Sequence, residues 1–374
     1  MVKKLALCVP DIQESDVKRV ADVLRSGQLV QGSNVLQLEQ LVCEMLGCKH
    51  SIAFSSGTAP LYAFLKLLGV GPGDEVIVPA FSFVASANVV KEVGAEVKFV
   101  DVSSSSLCLD PARVEAAISP RTKAIMVVHE FGCPADVSRL KIIAESRNIP
   151  IIEDAACAFG TVNQGDLVGY QSELCSFSFH PRKIVTSGEG GLAVTNCPDI
   201  ARKLRIARNH GIDIDVEGRS EKFVDYSLNF RMTDFQAALL LGQIDRYAQR
   251  LSMREEIART YNSELAELPI WLPLLGSSSD KPNWQSYHIV LRNHCALELS
   301  SFLNSNGIQT TYGAQCIPLL SPYQSGDKQA VEKCYPVAHA AFQNGICLPI
   351  HHELSREDVI FITTKVKEFF YVKQ

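Results

Sequence analysis

The segment "CSFSFHPRKIVTSGEGG" (175–191) places an amine, Lys183, behind an apolar strand-like run and ahead of a cluster of glycines. A lysine amine attacks carbon only when neutral, a state favoured by burial and by nearby positive charge. His180 and Arg182 supply the charge, and the aromatic residues supply dry surroundings. Gly188, Gly190 and Gly191 let the backbone approach a flat ligand, and Ser178 adds a hydroxyl. Taken alone, "HPRK" reads more readily as a solvated turn. A second stretch, "SSGTAP" (55–60), opens a helix bearing Leu61 and Leu65. Free N–H groups at Gly57 and Thr58, at the positive end of that helix, would hold an anion. The plainer alternative is that Ser56 or Thr58 only caps the helix. Asp154 ends the run "IPIIED", where a carboxylate can cap the next helix, ligate a metal or pair with a cationic ring nitrogen. No His or carboxylate stands at metal-ligand spacing around it, so metal binding is the weakest of the three.

The combination is more specific than its parts. An anion site at a helix start, a strand-end aspartate and a serine shortly before a lysine follow in that order, separated by about 100 and about 30 residues. Pyridoxal 5'-phosphate (PLP) needs this inventory: an anion cradle, an acid for the pyridine nitrogen and an amine for the aldehyde. On these residues the chain resembles the PLP-dependent sugar-nucleotide aminotransferases of the DegT/StrS type. The likeness starts at "SGQLVQGSNVLQLEQ" (26–40) and runs through "GDEVIVPAFSFVASAN" (73–88), "IIEDAACAFGT" (151–161) and the lysine segment. It continues in "RNHG" (208–211) and "LNFRMTDFQAALLLGQ" (228–243).

The resemblance implies that Lys183 binds the PLP aldehyde and that Asp154 pairs with the ring nitrogen. It implies a phosphate site at Gly57, Thr58 and Ser178, with Phe83 stacked on the ring and Phe81 in the core. Asn229 is implied to reach the phosphate of a neighbouring subunit, which makes the protein a homodimer with shared active sites. Arg231 and Tyr312 are implied to face the substrate. Two departures stand out. Cys157 occupies the place near the cofactor's O3′ where the family usually has Gln or His, and a thiol is a weaker hydrogen-bond partner. In "YGAQCIPLLSPYQ" (312–324), Pro318 stands about where the family commonly has a histidine. The implied activity is amino transfer, with glutamate as donor, to the keto group of a nucleotide-linked sugar, for surface polysaccharide or secondary-metabolite sugars. Two rivals are a PLP-dependent nucleotide-sugar dehydratase, in which histidine replaces the lysine, and a non-catalytic regulatory relative. Lys183 counts against the first, and the intact site residues count against the second.

The elements that must position these residues follow from periodicity. Ser15 is read as the N-cap of a helix with Val17, Val20, Val23 and Leu24 on one face, and a second helix starts near Thr58. Strands at "VIVPA", "KAIMVVH", "IPIIED", "LCSFSF" and "GLAVTN" alternate with helices at 136–148 and near 200–209. Such alternation predicts an α/β layered fold around a largely parallel sheet, that of the fold type I PLP enzymes by resemblance. Sites in such sheets gather at the carboxyl ends of strands. A long helix beginning at Asp234 then leads into mixed short elements. The expected division is a large PLP-binding domain (1–243) and a smaller α+β domain (244–374).

Composition narrows the remaining classes. Of 374 residues 47% are hydrophobic and 21% charged, with a formal charge of −5, an ordinary globular balance. The one basic stretch, "RKLRIARNHG" (202–211), reads as solvated charges on a helix face, so no nucleic-acid partner is expected. Twelve scattered cysteines without a CxxC pair suit free thiols in a reducing cytosol. No signal segment or apolar run long enough to span a membrane is read, which places the protein in the cytoplasm. His351 and His352 are read as a surface turn rather than a metal site.

Overall fold

Seven apolar runs build one sheet: β1 (His50–Phe54), β2 (Glu75–Pro79), β3 (Glu96–Val100), β4 (Thr122–Val128), β5 (Ile151–Asp154), β6 (Cys175–Ser178) and β7 (Gly191–Thr195). The computed structural model describes residues 4–214, 220–292, 294–324 and 327–372. Their spatial order is β1-β7-β6-β5-β4-β2-β3. Six strands run one way, and β7 alone lies antiparallel to both its neighbours, β1 and β6. The sheet is apolar on both faces because helices cover both. Ile52 and Phe54 pack into one cluster with Phe64, Val78 and Leu204, while Ala53 faces the other with Leu38, Phe177 and Leu240. At the edge, β3 alternates exposed Glu96 and Lys98 with half-buried residues, and such charges discourage pairing with another chain.

A second sheet of β8 (Ile270–Trp271), β9 (Tyr287–Leu291) and β10 (Gly345–Leu348) is antiparallel throughout. Its core of Tyr261, Tyr287, Ile289, Leu303 and Phe370 also takes in Leu5, which bridges to Ile308. A short pairing of Phe81–Ser82 with Gln315–Cys316 ties the loop after β2 to this region. The chain thus forms the α/β layered fold expected from the sequence, a mostly parallel sheet within helical layers. Among the described residues no helix is long and apolar enough to cross a membrane.

Four local expectations are corrected. The first helix, α1 (Glu14–Ser26), is capped by Gln13 through a capping box with Asp16, not by Ser15. Of its apolar residues Val23 is buried, whereas Val17 and Leu24 are exposed. Asp16 instead points inward, where Arg246 Nη2 donates to it at 2.7 Å. The long helix from Asp234 divides into Asp234–Ile244 and Tyr247–Leu265. At the break Arg246 turns back to Asp11, Asp16 and the Gly242 carbonyl, and Tyr247 enters the core to donate to Phe159 O. Arg208 is not solvated: it is buried in an ion pair with Glu39 at 2.5 Å. His351 is also buried, its Nε2 3.1 Å from the Ala6 carbonyl, because the N-terminal segment covers it.

Candidate active site

Parallel strands bring their carboxyl ends to one edge of the sheet, and the polar residues gather there. The turn after β1 brings Ser56, Gly57 and Thr58; the loop after β2 brings Phe83; the turn after β4 brings Glu130. Asp154 ends β5, Ser178 ends β6, and Lys183 follows in the next turn. All of them, with Cys157, line one cavity of about 440 Å3.

One end of the cavity is shaped for an anion. Helix α2 (Thr58–Leu67) starts there with Gly57 at its N-cap, so its positive end faces the opening. Ser56 Oγ accepts from Ala59 N at 3.2 Å, so capping and anion binding are divided between neighbouring groups rather than exclusive. A Cβ on Gly57 would lie 2.7 Å from Ser178 Cβ, so only glycine lets the two backbones close into a cradle. Ser176 Oγ locks that contact by donating to Gly57 O at 2.7 Å. Antiparallel β7 presses from the third side: a Cβ on Gly191 would lie 2.3 Å from Ser56 O.

The other end holds an acid and an amine. Asp154 is 5% exposed; Ser86 Oγ donates to it at 2.7 Å and Ala156 N at 3.1 Å. Burial pushes its carboxyl above the ordinary value, against those two bonds and the charge of Lys183. A cationic ring nitrogen would offset that burial penalty. Lys183 Nζ donates to Cys157 Sγ at 2.9 Å, and burial keeps the thiol raised above its ordinary value. Phe83, 54% exposed, stands at the cavity wall, whereas Phe81 is fully buried in the core.

Three residues named from the sequence lie outside this cavity. Asn229 is exposed and pairs with Asn209, and its Oδ1 accepts from Arg231 N at 3.2 Å. Arg231 reaches Asn209 Oδ1 through its guanidinium. Tyr312 is 51% exposed and leans on Phe342, although its neighbours Thr311 and Gly313 do line the cavity. Sequence reasoning missed Ser86, Glu130 and Asn283, which donates to Cys157 O at 2.8 Å. Ser86 stands inside the quoted run at 73–88, but no spacing links it to a strand end 68 positions later. Among the described residues no group of three or more His, Cys, Asp or Glu could hold a metal ion.

The donor set fits PLP: a glycine-lined cradle at a helix start, a buried carboxyl and an amine share one cavity. The sugar aminotransferase candidate Spr1654 from Streptococcus pneumoniae, in its PLP form, superposes with a TM-score of 0.91 at 30% identity, covering 98% of each chain. DesV from S. venezuelae gives 0.88 at 30% identity, again over 98% of each chain. PseC from Helicobacter pylori, an aminotransferase involved in the biosynthesis of pseudoaminic acid, gives 0.89 at 29% identity, over 99% of this chain and 100% of its own. Residues 10–367 match the DegT/DnrJ/EryC1/StrS aminotransferase family. This chain belongs to that family and is a PLP-dependent aminotransferase.

Proposed function

We propose that the enzyme transfers the amino group of glutamate to the keto group of a nucleotide-linked sugar, working as a homodimer with shared active sites. The observation that carries this reading is the placement of the Lys183 amine in one cavity with the Asp154 carboxyl and the Gly57–Ser178 cradle. PLP, when bound, supplies an aldehyde for the amine and a ring that withdraws electrons from the bond broken at Cα.

The residues divide the work. Gly57, Thr58 and Ser178 would bind the phosphate through backbone and hydroxyl donors at the start of α2. Asp154, held by Ser86, keeps the ring nitrogen protonated. Phe83 would stack on the ring, and Cys157 would border it beside Lys183. Lys183 would hold the coenzyme, and its Nζ would take the proton from the donor's Cα and pass it on. The keto-sugar is aminated by the same movements in reverse. Arg231 and Tyr312 meet the substrate at the rim, and Asn229 reaches the neighbouring protomer's phosphate site. This assignment accounts for an exposed Asn229 beside exposed Phe223, Tyr226 and Leu228. The product would enter polysaccharide or secondary-metabolite sugars.

Two measurements test the proposal. Borohydride reduction of the holoenzyme followed by peptide mapping is expected to place a pyridoxyl group on Lys183. A panel of nucleotide-linked keto-sugars with glutamate is expected to yield an amino sugar, its stereochemistry read by NMR. An unmodified Lys183 at saturating coenzyme would end the site assignment, and amination only of free sugars would end the nucleotide-sugar reading.

A further inference from the structure

The turn after β4 carries an acid that the scheme above leaves without a part. Glu130 is 5% exposed and lines the same cavity as Lys183, Asp154 and Cys157. Its turn is tightly determined. Phe131 sits at φ 56°, a left-handed conformation rare for a bulky residue, with its ring stacked on His288 at 4.6 Å. Next, Gly132 has φ 86°, and a Cβ there would lie 1.8 Å from Asn283 Oδ1. Asn283 also donates to Cys157 O at 2.8 Å, and Cys157 Sγ accepts from Lys183 Nζ. Such strain persists only where the surroundings over-determine it, and it clusters at functional sites. One scaffold therefore fixes both the carboxyl of Glu130 and the thiol that touches the amine.

Titratable groups face Glu130 from each packed element. Asp154 comes from β5, Cys157 from the turn after it, and Lys183 and Arg182 from the turn after β6. Cys347 comes from β10, His288 from β9 and Cys108 from the loop after β3, while Ser82 hydrogen-bonds the carboxyl. Burial first, then the charge of Asp154, pushes the carboxyl up to about 8, against the Ser82 bond and the charge of Lys183. Such a group changes its charge near neutral pH.

We infer that Glu130 is the charge partner of Lys183 across their shared cavity: as a carboxylate it favours the cationic nitrogen, and as a neutral acid it favours the neutral one. Glu130 acts through Lys183 and is a positioning residue. This inference rests on the reading of Lys183 as the amine that binds the coenzyme.

The test is a pH titration of the bound coenzyme's absorbance in the wild-type, E130Q, E130D and S82A holoenzymes, alongside the pH profile of kcat/KM. Glutamine cannot become an anion beside the cationic nitrogen, so the E130Q midpoint is expected to fall by about one pH unit. E130D keeps the acid and is expected to stay closer to wild type. S82A removes a bond that favours the carboxylate, so it should move the midpoint the same way by a smaller amount; it carries the test if E130Q does not fold. A residue that only braces the turn would change coenzyme affinity or Tm while leaving the midpoint in place. A midpoint within about 0.2 pH unit of wild type in E130Q, or in S82A where E130Q fails to fold, overturns the inference. Failure of the underlying reading is separate, because it shows as a wild-type Lys183 that borohydride leaves unmodified.

Discussion

Ser86 Oγ lies 2.7 Å from Asp154 Oδ2, and that contact changes how the acid behaves. Without donors, a carboxyl this deeply buried would turn neutral and lose its attraction for a cationic ring nitrogen. A hydrogen bond to a charged group contributes about 1.5–3 kcal/mol. Ser86→Ala is therefore expected to weaken coenzyme binding by about tenfold or more, measured by absorbance titration of the apoenzyme. An unchanged affinity would mean that the Ala156 N–H suffices. Lys183, Asp154 and Ser178 stand out in the sequence because each sits at a strand end beside turn chemistry. Ser86, Glu130 and Asn283 give no comparable sign, since their partners are remote in the chain and ordinary in type.

At the scale of elements, the anion cradle depends on how closely α2 meets β6. The 2.7 Å approach that a Gly57 Cβ would make to Ser178 Cβ is far inside van der Waals contact. Gly57→Ala must push the two segments apart, an overpacking that costs about 1–3 kcal/mol. The expected outcome is a folded protein by circular dichroism whose coenzyme affinity falls at least as far as in the Ser86 variant. Binding at wild-type strength would show that the cradle is not the phosphate site. Periodicity located most of these elements, because strands buried on both faces read as continuous apolar runs. It misjudged α1, where apolar spacing pointed to Val17 and Leu24 while an inward ion pair of Asp16 with Arg246 set the rotation. It also ran one helix through residues 245–246, since side-chain contacts rather than propensity make that break.

For the whole molecule the sharpest expectation concerns subunits. If Asn229 serves the neighbouring protomer, Lys183→Ala and Asn229→Ala homodimers are each defective. Unfolding and refolding them together in equal amounts would create heterodimers in which one of two sites is intact. Random pairing then restores about a quarter of the sites, measured as activity against wild type. No recovery, with dimers confirmed by light scattering, would sink the shared-site reading. The exposed Phe223, Tyr226 and Leu228 beside Asn229 are the residues such a contact would cover.

The chain's own residue order was enough to determine the coenzyme chemistry and the layered α/β fold. Both are written locally, in a lysine turn, a strand-end acid, a glycine at a helix start and apolar runs of strand length. Only the tertiary structure decided what surrounds the amine. A parallel sheet brings the ends of strands far apart in the chain to one edge, so the partners of Lys183 and Asp154 follow from strand order and side-chain direction. Burial does the rest: the acidity of Glu130 comes from the water excluded around it, which no residue carries in its identity.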